Sequence, residues 1–216
     1  ILMRVKSLDI CITTYNRNDR LKTTLDILSK QTNMDFNLII NDDGSKSLID
    51  INSYPIITKY IWNKDDGYHR VGRFNESVSL CVSPNIIIMD DDCIPKGVNF
   101  IQSHMDVLEK NHICRGVVRF PDGSRANSWF STANLGIKKE VIDDIGLFDK
   151  KFDGHYGHED QDLGNRLKET KYTIAHGNDG TIANHGHEIY ANGDRSDKVI
   201  GHNTRYFMEK WGYDPR

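Results

Sequence analysis

The segment Asn85-Ile86-Ile87-Ile88-Met89, followed at once by Asp90-Asp91-Asp92, constrains the fold of this chain more than any other. A run that is apolar on both faces reads as a central strand of a parallel sheet, covered from both sides. The rest of the first half supplies its neighbours. Leu8, Ile10 and Ile12 read as one strand, residues 36–40 as a second and 56–62 as a third. Leu21, Leu25 and Leu28 fall on one helical face that Asn18 or Asp19 can cap, residues 74–82 form another helix, and after Pro95 the positions Val98, Ile101, Met105 and Leu108 mark a further one. Strands alternating with helices are the pattern of βαβ units, so the expected class is α/β with a Rossmann-like, mostly parallel central sheet flanked by helices. The second half reads as strands near 113–120 and 129–137, helices at 139–145 and 196–210, and a Gly- and His-rich stretch between them. No linker rich in Pro, Gly or Ser divides the 216 residues, so one domain spanning 1–216 is expected.

Charge narrows the function. With 28 basic and 31 acidic residues, net −3, and no basic stripe, nucleic acid is not the expected partner. No apolar stretch approaches the roughly 20 residues of a membrane span. The four cysteines, Cys11, Cys81, Cys93 and Cys114, lack CxxC spacing and read as reduced, buried thiols, which points to a cytoplasmic protein.

Three acidic segments carry the candidate chemistry. Asp90-Asp91-Asp92 leaves a buried strand where open α/β sheets bind ligands. Carboxylates there suit Mg²⁺ or Mn²⁺, and extended alternation points Asp90 and Asp92 one way and Asp91 the other; the plainer reading is a polar turn whose last Asp caps the helix near Pro95. Asn41-Asp42-Asp43-Gly44-Ser45 ends a second strand, either to accept hydrogen bonds from a nucleobase or ribose or as an Asp-Gly turn. Gly157-His158-Glu159-Asp160-Gln161-Asp162 opens a helix, where acidic residues interact well with the macrodipole and where a carboxylate can also act as general base. Asp162 reads as the residue that serves the dipole. Among the crowded histidines His155, His158, His176, His185 and His187, His185 ends a short strand, and an imidazole joining carboxylates favours Mn²⁺ over Mg²⁺.

Taken in order, these segments resemble an inverting glycosyltransferase of the GT-A fold, close to family 2 and to the galactosyltransferase-like half of chondroitin polymerases. Residues 7–17, ending Thr13-Thr14-Tyr15-Asn16-Arg17, resemble its first strand and nucleotide loop, with Thr13 in place of the usual proline. Asp42-Asp43-Gly44-Ser45 resembles the base-binding loop, Asp90-Asp91-Asp92 the DxD metal motif, and Gly157-His158-Glu159-Asp160 the Gly-Gly-Glu-Asp acid pair, with His158 replacing a glycine. Residues 67–75, 130–135, 146–149, 179–185 and 206–212 resemble further landmarks in family order.

The resemblance implies a nucleotide-binding half over about 1–95 and an acceptor-binding half over about 96–216. Thr14, Tyr15, Asn16, Arg17, Asp42, Asp43 and Asp91, with Arg70 or Arg73, would meet a nucleotide-sugar donor, expected to be UDP-linked. Asp90, Asp92 and His185 would hold Mn²⁺ or Mg²⁺. Trp129, Asn134 and His158 would line the site of a glycan, glycoprotein or small-molecule acceptor. Asp160 would take the proton of the attacking hydroxyl, with Glu159 orienting it. Two readings compete: a metal-dependent nucleotidyltransferase or phosphohydrolase using the same aspartates, and a carbohydrate-binding protein without turnover.

Overall fold

The computed structural model describes residues 5–125, 130–185 and 197–215. The first half runs β1 (Leu8–Thr14), α1 (Asn18–Leu28), β2 (Phe36–Asp42), β3 (Ile57–Trp62), α2 (Arg70–Ser79) and β4 (Asn85–Asp90). The second half runs β5 (Cys93–Pro95), α3 (Phe100–Lys110), β6 (Ile113–Arg115), β7 (Val117–Arg119), β8 (Asn134–Lys138), α4 (Lys139–Ile145), α5 (Glu159–Lys168), β9 (Ile174–His176), β10 (Ile182–His185) and α6 (Asp197–Trp211).

Seven strands form the main sheet in the order β3-β2-β1-β4-β8-β6-β9, and β5-β10-β7 form a small second one. Strands β1 to β4 are mutually parallel, while β8 runs antiparallel to both β4 and β6. The expected α/β sheet is thus present, and β1 and the inner residues of β4 are buried, as strands covered on both faces must be. One core lies under α1 and α3, built on Ile10, Ile12, Leu25, Ile87 and Phe100; the other, on the opposite face, is built on Cys11, Phe74, Ile88, Phe130, Phe152 and Phe207. All four cysteines are buried and free of disulfides.

Several element boundaries differ from the sequence reading, each for a local reason. Helix α1 begins at Asn18 with Arg17 at its N-cap and no side-chain cap, so neither Asn18 nor Asp19 caps it. Leu21, Leu25 and Leu28 are fully buried, and at about 2 kcal/mol each their burial outweighs the ~1 kcal/mol a cap supplies. Helix α2 starts at Arg70 rather than Phe74, because the buried stripe begins at Val71 and continues through Phe74 and Val78. It stops at Ser79, where Asp9, buried at the base of β1, accepts hydrogen bonds from the Val82 and Ser83 amides and turns the chain into β4. Pro95 ends β5 and does not open a helix; α3 begins at Phe100.

The strand expected over 113–120 is two, β6 and β7, broken at Gly116 and belonging to different sheets. A Cβ at Gly116 would lie 2.4 Å from the Asn134 side chain, which leaves no room for any other residue. The strand expected from residue 129 starts at Asn134, and residues 126–129 lie outside the described part.

The order of the main sheet reverses between β1 and β4, so the two crossovers leave in opposite directions and a crevice opens at the C-terminal ends of these strands. Thr14, Asp42 and Asp90 end their strands along that edge.

Candidate active site

The aspartate run does not continue β4. The strand ends at Asp90, and Asp91 and Asp92 form a turn into β5, so strand alternation does not set their directions. Asp91 and Asp92 share Arg17, whose Nη1 lies 3.3 Å from Asp91 Oδ1 and 3.1 Å from Asp92 Oδ2. Arg20 adds a second cation 3.4 Å from Asp92 Oδ2, and Thr14 Oγ1 donates to Asp91 Oδ2 at 2.7 Å. Asp90 instead accepts from Arg70 Nη2 at 2.7 Å. Asp90 and Asp92 thus meet different arginines, and Asp92 does not cap a helix.

These environments separate the three carboxyls. Burial together with the neighbouring Asp92 pushes Asp91 up to about 6. Burial would raise Asp90 as well, but the Arg70 guanidinium wins and holds it below the ordinary carboxylate range. Asp92 turns its other oxygen, Oδ1, toward His185 Nε2 at 3.6 Å. One ligand atom each from Asp92, Cys93 and His185 lie within 4.8 Å of one another. A carboxylate and an imidazole so placed fit a divalent cation of the Mn²⁺ kind.

The loop after β2 divides its two aspartates. Asp42 is fully buried; Oδ1 accepts from the Gly44 and Ser45 amides at 3.0 and 2.7 Å, and Oδ2 accepts from the Tyr60 hydroxyl. One oxygen is taken up by the turn and the other by Tyr60, and the side chain is fully buried, so it does not face a ligand. Gly44, at φ +100°, could not carry a side chain, because a Cβ would lie 2.5 Å from the Asp65 amide nitrogen. Asp43 accepts from Arg73 Nε at 2.7 Å and the His69 amide at 2.8 Å. Asn16 has a left-handed backbone, φ 53°, and ties its loop to the next: its amide donates to Ser45 Oγ, and its Oδ1 accepts from the Lys46 amide. Tyr15 is exposed, with its hydroxyl on Asp65.

The first turn of α5 reaches the same crevice. His158, at its N-cap, has φ 69°, a conformation that suits glycine and explains why the resembled motif has glycine there. The His158 ring nitrogens lie 3.0 Å from Gln161 Oε1 and 2.9 Å from Thr204 Oγ1, which fixes the ring against α6. Glu159 Oε1 accepts from Arg70 Nη1 at 2.6 Å, while Oε2 is buried and accepts nothing among the described residues. Arg70 thus bridges Glu159 and Asp90, joining the two acidic segments through one guanidinium. Asp160 is half-buried and accepts only from the Gln161 amide, at 2.7 Å, among the described residues. Burial first and the Glu159 charge second push its carboxyl up to about 7.

Asp162 was expected to serve only the helix dipole, and the structure corrects that. It is fully buried, with Oδ2 accepting from Arg166 Nε at 3.0 Å and Oδ1 from Trp211 Nε1 at 2.9 Å and Lys210 Nζ at 2.7 Å. Arg166 in turn donates to the carbonyls of Ile145, Gly146 and Leu147. Removing the carboxylate takes the buried counter-ion from Arg166 and leaves Lys210 to Asp149 alone, and breaking such a buried pair costs about 3 kcal/mol. Asp162→Asn is therefore expected to lower the melting temperature by about 10 °C, readable by circular dichroism; a shift below about 2 °C would return Asp162 to serving the helix dipole alone.

The expected acceptor residues fare unevenly. Trp129 lies outside the described residues. Asn134 is 1% exposed, its Nδ2 donating to the Val117 and Thr181 carbonyls and its Oδ1 2.9 Å from His104 Nε2, so it pins the two sheets together and no acceptor reaches it. Sequence reasoning missed three residues at the crevice: Arg20, Cys93 and Tyr68. Arg20 follows Arg17 by nearly one helical turn, a spacing that marks it. Tyr68 immediately precedes the α2 N-cap, and its ring lies 6.2 Å from that of Tyr156, beside the acid pair.

Residues 9–170 match the family described as Glycosyl transferase family 2. Chondroitin synthase of Pasteurella multocida (strain Pm70) is 25% identical over 220 residues, covering 74% of this chain and 23% of that protein. Validoxylamine A glucosyltransferase of Streptomyces hygroscopicus subsp. limoneus is 31% identical over 105 residues, covering 46% of this chain and 23% of that protein. The chain thus spans about a quarter of the length of these relatives. Among solved structures, the mannosyltransferase PcManGT from Pyrobaculum calidifontis, in complex with GDP-Man and Mn²⁺, superposes with a TM-score of 0.67 at 12% identity, over 97% of this chain and 64% of that one. S. aureus TarS 1-349 superposes with a TM-score of 0.67 at 13% identity, over 83% of this chain and 60% of that one. At such identities the likeness is one of fold.

Proposed function

This chain belongs to glycosyl transferase family 2 and has the GT-A fold, and from that premise we propose that it moves a sugar from a nucleotide donor, UDP-linked, to an acceptor hydroxyl with inversion at the anomeric carbon. The observation that carries this reading is the Glu159–Arg70–Asp90 bridge, which joins the aspartates at the end of β4 to the acid pair whose Asp160 carboxyl is pushed up to about 7 by burial and by Glu159. The pairing of β4 with β8 in one sheet supports treating residues 1–216 as one domain, its first 95 or so residues toward the nucleotide and the rest toward the acceptor.

On this reading Asp43 and Tyr15 contact the nucleoside, while Asp42 and Asn16 hold their loops. Arg17 stands by the diphosphate, and Asp91 keeps it in place. Asp92 and His185 hold a divalent cation, which when bound supplies Lewis acidity against the charge of the departing diphosphate. Asp90 keeps Arg70 oriented, and Arg73 braces Asp43. Glu159 orients the acceptor by accepting a hydrogen bond from a neighbouring hydroxyl at Oε2, and Asp160 alone takes the proton of the attacking hydroxyl as its oxygen bonds to the anomeric carbon and the diphosphate leaves. Tyr68 and Tyr156 offer aromatic faces to the acceptor in place of the buried Asn134. A phosphohydrolase or nucleotidyltransferase would use the aspartates without an acidic pair aimed at a hydroxyl.

The pH profile tests this. A carboxyl raised to about 7 is protonated below that value and cannot serve as base, so turnover rises as the pH passes about 7 and levels above it. A rate flat from pH 5 to 8 under saturating donor and metal would remove Asp160 from the role.

A further inference from the structure

We propose that the cation site has a sulfur donor: Cys93 Sγ joins Asp92 and His185 in a mixed thiolate, imidazole and carboxylate site that takes thiophilic divalent cations such as Zn²⁺ and Cd²⁺ more tightly than Mn²⁺. The proposal rests on the reading above that Asp92 and His185 hold a cation.

Backbone register places the sulfur. Strands β5 and β10 are antiparallel, and Cys93 is paired directly with His185. Directly opposed residues in such a pair point to the same face, with Cβ atoms about 5 Å apart. Asp92 is the next residue back, at the turn that opens β5, so three ligating side chains converge from two segments. Their ligand atoms lie within 4.8 Å of one another. Donors bound at 2.0–2.3 Å around one tetrahedral cation sit roughly 3.5 Å apart, so modest side-chain movement closes the site.

Burial and the adjacent Asp90, Asp92 and Asp91 carboxylates hold the Cys93 thiol well above its ordinary range, so sulfur ligates only as a cation displaces the proton. Cys93 is wholly buried, so no solvent competes for its sulfur, and the Phe120 ring lies 5.3 Å from the His185 ring and steadies it. Arg17 and Arg20 occupy the opposite oxygen of Asp92, leaving Oδ1 toward His185. Thiolate is a soft ligand that selects Zn²⁺, Cd²⁺ and Co²⁺ over the harder Mn²⁺ and Mg²⁺. The thiol proton passes to solvent as the cation binds. The other reading of Cys93 is a packing residue, which makes no difference to which cation binds.

Co²⁺ serves as the probe. Titrated into the intact chain, Co²⁺ is expected to give a thiolate-to-cobalt charge-transfer band in the near ultraviolet that Cys93→Ser abolishes. The same substitution should weaken Cd²⁺ and Zn²⁺ by about tenfold or more and leave Mn²⁺ affinity, read by electron paramagnetic resonance, within about threefold. Should Cys93→Ser fail to fold, zinc-edge X-ray absorption of the unaltered protein takes its place, with one sulfur expected at about 2.3 Å. Co²⁺ or Zn²⁺ bound without sulfur, or a charge-transfer band that persists in Cys93→Ser, overturns the proposal while leaving a cation on Asp92 and His185. A sulfur-ligated site in a protein whose sugar transfer ignores chelator upholds the proposal and overturns the metal role in transfer instead.

Discussion

Asp160→Asn is expected to lower turnover by about two to four orders of magnitude, the range a positioned general base contributes, with donor affinity nearly unchanged. The amide keeps the size of the carboxylate and can still accept from the Gln161 amide, but it cannot take the hydroxyl proton. The same substitution separates catalysis from stability. A carboxyl whose folded pKa is raised opposes folding once it ionises. That cost is absent below the unfolded value near 4, grows between there and about 7, and is constant above. Asp160→Asn should therefore melt at or above the unaltered protein at pH 8 and near it at pH 4. Near-normal turnover in this variant would move the base elsewhere; a lower melting temperature at pH 8 would show that the carboxylate is held by partners and not merely buried.

Asp92→Ala is expected to cost about three orders of magnitude or more in transfer and to weaken donor binding, since several kcal/mol of charge stabilisation on the diphosphate disappear with the cation. Excess EDTA should do the same to the unaltered protein, and Mn²⁺ should restore more activity than Mg²⁺ because His185 faces Asp92. The competing possibility is built into the structure: Arg17 and Arg20 both pair with Asp92. If these arginines alone neutralise the diphosphate, activity survives EDTA, and Asp92→Ala, which removes one carboxylate competing for them, binds donor more tightly. Initial rates with donor titrated, with and without chelator, decide between the two.

The central strand made most of this legible. The four-residue apolar run Ile86–Met89 does not suit a wetted edge, and the carboxylates that follow it must lie at the open end of the sheet. That reasoning found the α/β sheet, the crevice and the three acidic segments. It failed where a side chain's role depends on which distant backbone it meets. Asn134 resembles an acceptor residue by position, but its amide is held by carbonyls of β7 and of the turn before β10, which no local pattern reveals. Asp162 looked like a first-turn acid, and only the return of α6 gives it Trp211 and Lys210. Cys93 was read as a buried thiol, which it is; its neighbour His185 arrives through an antiparallel pairing with no trace in residue spacing. Asp42 is the opposite case: the Asp-Gly turn was visible, and it took up one of the oxygens the nucleoside reading needed, Tyr60 taking the other.

The most direct test of inverting transfer needs no knowledge of the acceptor. UDP-glucose, UDP-galactose, UDP-N-acetylglucosamine, UDP-N-acetylgalactosamine and UDP-glucuronic acid, all α-linked, are each incubated with the protein and Mn²⁺, and the sugar slowly released to water is followed by proton NMR before it mutarotates. The account predicts that at least one donor yields the β anomer first, together with UDP, and that this release stops in EDTA. Initial release of the α anomer would contradict a single displacement, and release of inorganic phosphate or sugar phosphate without free sugar would contradict glycosyl transfer altogether.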